Sequence, residues 1–218
     1  MTKRRIERNG FLDPCAAKFA PSNKLSSAIQ PFITAVADEK IEVYNEFSLQ
    51  HELGIFLRNY LPDLKVQFER NVSFFFKDKS RFTKREIDIS AYSAADMSLA
   101  FAVELKYPRN GQHPEQMFSF CKDIAFAEEL VAAGFPRAAL VVFADDHLFY
   151  RGSAENIYGF FRGERPIHGC IQKPTGKKDD EVTIHGSYKV EWKPIFGTLK
   201  FAILEVSANN LPAKHESF

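Results

Sequence analysis

Long apolar runs are missing from this chain. The longest is Ala138 to Ala144, seven residues, far short of the roughly 20 that a membrane-spanning helix needs. Cysteine is scarce too. Cys15, Cys121 and Cys170 are odd in number, widely spaced and in no C-x-x-C pair, which excludes a disulfide scaffold and leaves thiols as the expectation. A net charge of only +1 gives no whole-molecule field for a polyanion. Met1-Thr2-Lys3-Arg4-Arg5 is charged, but no apolar segment follows, so no secretory signal is read and a cytoplasmic location is expected. Asn71-Val72-Ser73 is then a chance match to a glycosylation acceptor.

What is present is ordinary for a globular chain. Hydrophobic residues make up 45% of the 218 and charged residues 26%. A chain of this size buries roughly 70% of its unfolded surface, enough for one self-sufficient core. Phe occurs 22 times against a single Trp, mostly as core material. The charge is unevenly spread. Residues 1–24 carry six Lys/Arg against two acids, residues 65–86 seven against three, and residues 162–178 five against one. These stretches are either a nucleic-acid face or solvated loops with a frayed tail.

Residues 1–24 read as a poorly ordered basic arm, and 24–43 as one or two short helices interrupted near Pro31. Asn45 can cap a helix that runs to about Tyr60 and stops at Pro62, with Leu49, Leu53, Phe56, Leu57 and Tyr60 as its apolar stripe. Alternation then predicts strands over Lys65–Phe76, Thr83–Ala91 and Met97–Tyr107, an antiparallel meander. His113-Pro114 opens a second helix that ends at Gly134. Ala138–Ala144 reads as a strand buried on both faces. Further strands are expected near 167–172, 181–193 and 198–206. The reading is a single α/β domain: residues 1–44 an arm with short helices, 45–145 a core, and 146–218 a β-rich extension packed on it.

Polar residues stand where strands should be apolar. Asp88 lies between Ile87 and Ile89, and Glu104 and Lys106 close the run Leu99-Ala100-Phe101-Ala102-Val103. Glu104 and Lys106 point to one face of their strand. If the Asp88 strand lies alongside, two carboxylates and an amine converge. A divalent cation such as Mg²⁺ or Mn²⁺ would relieve the repulsion between the carboxylates. Lys106 could then orient or help deprotonate a metal-bound water, or steady the charge of a phosphorane-like transition state. The alternative is an exposed ion pair with Asp88 across the ladder. The bare [DE]-x-K pattern occurs four times, at Asp38-Lys40, Asp63-Lys65, Glu104-Lys106 and Glu191-Lys193. The last competes, with Asp179 and Asp180 upstream, but no helix follows it.

Other motifs fail. His51-Glu52 begins H-E-x-x-H, but position 55 is Ile. Lys173-Pro174-Thr175-Gly176-Lys177-Lys178 lacks the glycine spacing and the Ser/Thr of a phosphate loop, leaving a plain turn or a basic DNA-contacting one. The six His show no metal spacing. Phe149, Tyr150, Tyr158, Phe160 and Phe161 read as core rather than as a base-stacking platform.

The order helix, strand, Asp-bearing strand, Glu-x-Lys strand, helix, strand resembles the core of the PD-(D/E)XK nuclease superfamily, over about residues 45–145. The carrying segments are Arg85-Glu86-Ile87-Asp88-Ile89, Ala102-Val103-Glu104-Leu105-Lys106 and the helix start Asn45-Glu46-Phe47-Ser48-Leu49-Gln50-His51-Glu52-Leu53. Ile87 departs from the proline of the family's name. The resemblance implies a restriction endonuclease-like αβββαβ core with a mixed central sheet. It implies hydrolysis of DNA to 5′-phosphate products by a metal-activated water, with Mg²⁺ as cofactor and Mn²⁺ able to substitute. Asp88, Glu104 and the Leu105 backbone carbonyl would hold the metal, and Lys106 would serve the water. A helix glutamate would complete the site, Glu46 in preference to Glu52. Gln112 and Gln116 could reach it, although a loop and a helix surface suit them better. Restriction, other defence, or repair is the implied setting. A homodimer or a partner protein of a defence system is the implied assembly. The alternative is a non-catalytic nucleic-acid-binding or assembly subunit that retains the fold.

Overall fold

A computed structural model describes residues 24–109, 111–176 and 180–212. Residues 1–23 of the expected basic arm 1–24 lie outside them, as does Cys15; Cys121 and Cys170 are free thiols. The first helix, α1 (Leu25–Ala37), is continuous through Pro31, where the sequence suggested a break. A proline in a helix interior costs about 3 kcal/mol. Leu25, Ile29, Phe32, Ile33 and Val36 are all buried on its inner side. At roughly 1.5–3 kcal/mol for each large side chain, that stripe outweighs the penalty. The helix start is capped from far along the chain: the Glu205 carboxylate accepts from the Leu25 and Ser26 amides at 2.8 and 3.2 Å.

Helix α2 (Glu46–Tyr60) begins as expected at Asn45, which exchanges capping bonds with Ser48. It packs on β1 (Leu64–Asn71), where Gly54 lets the Phe68 ring come close. β1 is shorter than predicted. Val72–Phe74 turn as a 3-10 helix instead of continuing to Phe76. An extended chain would send adjacent side chains to opposite faces. Here Phe75 and Phe76 both meet Phe135, at ring distances of 5.3 and 6.0 Å, which requires the turn.

Strands β2 (Glu86–Ser93) and β3 (Leu99–Lys106) complete the antiparallel meander. Helix α3 (His113–Ala133) then crosses to β4 (Arg137–Ala144), which lies parallel to β3. A short helix α4 (Tyr158–Phe161) and the hairpin β5 (Ile167–Gln172) and β6 (Glu181–Tyr188) follow. The single strand expected over 181–193 ends at Tyr188. The chain crosses back as β7 (Lys193–Phe196) and β8 (Leu199–Ser207), and β8 pairs antiparallel with β4. The result is a mixed six-stranded sheet in the order β1-β2-β3-β4-β8-β7, plus a two-stranded sheet.

Period-two burial divides the core. Phe101, Val103, Leu105, Val141 and Phe143 pack under α1 and α2. Ala102, Leu140 and Val142 pack with the α3 side chains and the hairpin. Phe149 and Phe161 belong to this second core. No described helix is long and apolar enough to cross a membrane.

Glu128 on α3 ties the hairpin down. It is buried and accepts from the His185 amide at 2.9 Å, the Gly186 amide at 2.7 Å and the Tyr188 hydroxyl at 2.9 Å. Glu128→Ala should lower stability by about 3 kcal/mol in urea unfolding, because buried donors lose a charged acceptor. A loss below about 1 kcal/mol would mean that water replaces the carboxylate.

Candidate active site

The β2–β3 ladder stops early. Its last registered pair is Ile89 with Val103. Yet β1 stays paired to β2 as far as Glu86, and β3 to β4 as far as Lys106. The two inner strands therefore part while their outer neighbours hold them. Side chains fill the opening. Asp88 Oδ2 accepts from the Leu105 amide at 2.7 Å, and the Asp88 amide points to Glu104 Oε1 at 3.4 Å.

Four carboxylates and two ammonium groups meet there. Glu104 is only 1% exposed and Asp123, from α3, is buried as well. Lys84, from the irregular segment before β2, pairs with Glu104 and lies 2.8 Å from Asp123 Oδ1. Lys106 lies 3.4 Å from Asp123 Oδ2, at ion-pair distance but without hydrogen-bond geometry. On its other side Lys106 is 3.3 Å from Glu46 Oε1, and the Tyr107 amide donates to Glu46 Oε2 at 3.1 Å. Thus Asp88, Glu104, Lys106 and Glu46 are brought together. Glu52 is not: it faces His51. Gln112 is exposed at the start of α3 and Gln116 half-buried in its first turn. The glutamine that reaches Asp88 is Gln50, which donates to its carbonyl at 3.0 Å. The rival Glu191 and Lys193 are exposed, Asp180 pairs with Lys122, and Asp179 lies outside the described residues, as do Lys177 and Lys178.

A cleft of about 120 Å³ opens beside Asp88, lined by Glu46, Phe47, Gln50, Glu69 and Leu105. That is room for an ion or several waters. Glu69 lies across the β1–β2 ladder from Asp88, holds Gln50, and adopts a left-handed φ of 46°. Such backbone strain in a non-glycine residue is concentrated at functional sites. Phe47 is 81% exposed at the cleft's rim. A larger groove of 590 Å³ along α1 offers no comparable chemistry: its Lys40 and Asp38 pair with each other.

Burial is the main force on these groups. It pushes the Asp88 carboxyl up to about 6, against the opposing pull of the Leu105 amide and both lysines. It raises Glu104 well above the carboxylate range, with the charge of Asp88 adding to the effect. For the lysines burial works downward, but nearby carboxylates outweigh it. Glu104 and Asp123 hold Lys84 above its ordinary value, and Asp123, Glu46 and Asp88 do the same for Lys106.

With every group ionised, the site is two positive charges short. Hard carboxylate oxygens with that deficit suit a divalent cation such as Mg²⁺ in type and charge. The present arrangement does not. Among the described residues no three metal-ligating side chains are gathered around one point. Lys84 holds Glu104 and the Leu105 amide holds Asp88.

Four participants were not singled out in the sequence: Lys84, Asp123, Gln50 and Glu69. Asp123 carries a readable signal, a charge within the apolar face Phe120, Cys121, Ile124. Gln50 lies one turn after Glu46. Lys84 and Glu69 carry none. No protein-family model, curated protein or solved structure matches the chain. The chemistry is therefore read from these residues themselves.

Asp88 also sets a pH dependence. Its folded-state carboxyl titrates above the ordinary value of 3.8. The stabilisation that its neutral form gives is complete below that value and is lost as pH rises through about 6. In metal-free buffer, Asp88→Asn should gain on the wild type by about 3 kcal/mol between about pH 4 and pH 7. Urea unfolding across that range checks this, and a flat difference would contradict it.

Proposed function

We propose that the protein is a nuclease that hydrolyses phosphodiester bonds, with DNA as its substrate, and that it is a member of the PD-(D/E)XK superfamily. The observation that carries this reading is the meeting of Asp88, Glu104, Lys106 and Glu46 where β2 and β3 part. The order α2, β1, β2, β3, α3, β4 is similar to that superfamily's core, with the acids on the middle strands and a glutamate from the first helix. The exposed Phe47 at the rim offers a flat apolar face for a nucleobase. The cytoplasm, a two-fold dimer and a defence or repair setting belong to the same proposal.

In this reading Asp88 and Glu104, with the Leu105 carbonyl and Glu46, would hold a Mg²⁺ ion. That ion would supply a water of lowered pKa and a counter-charge for the phosphate. The chain's own groups do the rest. Lys106 stays an ammonium at neutral pH, because three carboxylates hold its proton. It therefore serves as a hydrogen-bond donor to water or phosphate oxygen, and not as a base. Glu46 stands on its solvent side, where it can accept the proton that the attacking water gives up. Gln50 fixes the Asp88 backbone.

A second reading is favoured by one observation. Lys84 already pairs with Glu104 and Asp123. A non-catalytic nucleic-acid-binding or assembly subunit would retain such a closed network.

Purified protein on supercoiled plasmid with Mg²⁺ or Mn²⁺ decides between the two. Cleavage should need the metal and fall by about 100-fold or more in Asp88→Asn, Lys106→Ala and Glu46→Gln, while Glu52→Gln stays within about twofold of wild type. Folded protein that cuts neither plasmid, single strand nor RNA would sink the enzyme reading. With Ca²⁺ in place of Mg²⁺, Phe47→Ala should weaken binding to an unpaired strand by about tenfold in fluorescence anisotropy. Unchanged affinity would remove Phe47 from the substrate surface.

A further inference from the structure

Lys84 and Lys106 face the same buried carboxylates from different kinds of support. Lys106 is on β3, in register with Val142 of β4, and is held between Asp123 and Glu46. Lys84 is on the irregular segment between Phe75 and β2. That segment is pinned next door, where the Thr83 amide donates to Glu129 at 2.8 Å and the Arg85 guanidinium donates to the Lys79 carbonyl at 2.7 Å. The Lys84 side chain itself is 32% exposed, whereas those of its partners Glu104 and Asp123 are 1% and 4%. Of these three groups, only the lysine has a way out to water.

Two buried carboxyl groups cannot stay ionised without a cation. With every group ionised, the cluster is nevertheless two positive charges short. A divalent ion at Glu104 would compete for the oxygen that Lys84 now holds, and it would bring more charge to a site that lacks it. A lysine carries four rotatable carbons and a strongly hydrated head, so release from the pair returns its ammonium to solvent.

We propose that Lys84 is an exchangeable resident cation: its ammonium holds the Glu104 oxygen that a divalent cation at Asp88 and Glu104 would take, and it is released to solvent when that cation binds. This rests on the reading of the cluster as a cation-dependent site. It adds that the protein keeps its buried acids compensated in the absence of metal, and that the Lys84 amine becomes accessible to solvent once metal is bound.

The test uses the wild-type chain. Acylation of lysines by a small amine-reactive reagent is followed by peptide mass spectrometry, in EDTA and in saturating Mn²⁺ at matched ionic strength. Calorimetry reports Mn²⁺ binding on the same sample. Lys84 should label at least about fivefold faster with Mn²⁺, while Lys122, paired at the surface with Asp180, changes less than about twofold. Lys84→Gln should bind Mn²⁺ at least tenfold more tightly than wild type, and its melting temperature should fall in EDTA and recover with Mn²⁺. Should Lys84→Gln fail to fold, the wild-type labelling decides. Mn²⁺ binding with unchanged Lys84 labelling overturns the proposal, and so does the absence of Mn²⁺ binding. The two readings fail separately. Lys84 release without cleavage of any nucleic acid would leave the exchange standing and remove the nuclease. Metal-dependent cleavage with Lys84 still protected would do the reverse.

Discussion

Glu104 is a carboxylate almost without access to water, placed at the end of a central strand. A buried carboxylate demands either a proton or a cation. The surrounding structure supplies the cation. Lys84 is drawn in from the segment before β2, Asp123 on α3 spans the two lysines, and Lys106 links that pair to Glu46 on α2. Elements from both faces of the sheet are joined by one chain of charges. The parting of β2 and β3 belongs to the same arrangement, since Asp88 takes the Leu105 amide that the ladder leaves unpaired.

The scaffold makes such a site affordable. Ala138 to Ala144 are all buried, and β8 lies along the whole of β4. This rigid centre holds the end of β3 in place while its partner strand diverges. The helices are fastened by contacts distant in sequence. Glu205 of β8 caps α1 and pairs with Arg137 of β4, and Glu128 of α3 anchors the β5–β6 hairpin. Buried acids thus serve two ends here. Glu128 has its hydrogen bonds filled by fixed donors, as a structural group should. Glu104 shares the half-exposed Lys84 with Asp123, and both Asp88 and Glu104 carry raised pKa values, the condition of groups set to exchange a proton or a cation.

This contrast supports reading the cluster as a working site. Its members come from five places in the chain: α2, the segment before β2, β2, β3 and α3. The cleft beside Asp88 joins them to an exposed aromatic ring and a strained glutamate. Lys84 and Lys106 bring positive charge to the cluster's buried acids from two directions, as the proposed phosphodiester substrate would require.

Much of this was legible in the sequence. Capping by Asn45, the α2 stripe, the β2 and β3 alternation, the bounds of α3 and the buried run of β4 follow from local periodicity and turn chemistry. Asp88, Glu104 and Lys106 stood out because charge inside an apolar strand is costly. Glu46 was distinguishable from Glu52 only as a preference. Tertiary structure decided the rest. Pro31 stays helical because a distant core pays for it, and Val72–Phe74 turn because three neighbouring rings share one cluster. β8 joins the main sheet through pairing with β4, which local pattern cannot encode. Lys84 becomes part of the site for the same reason. Its neighbours in sequence placed it in the expected strand Thr83–Ala91, whereas β2 starts only at Glu86 and the partners of Lys84, 20 and 39 residues away, are set by the packing of α3 on the sheet.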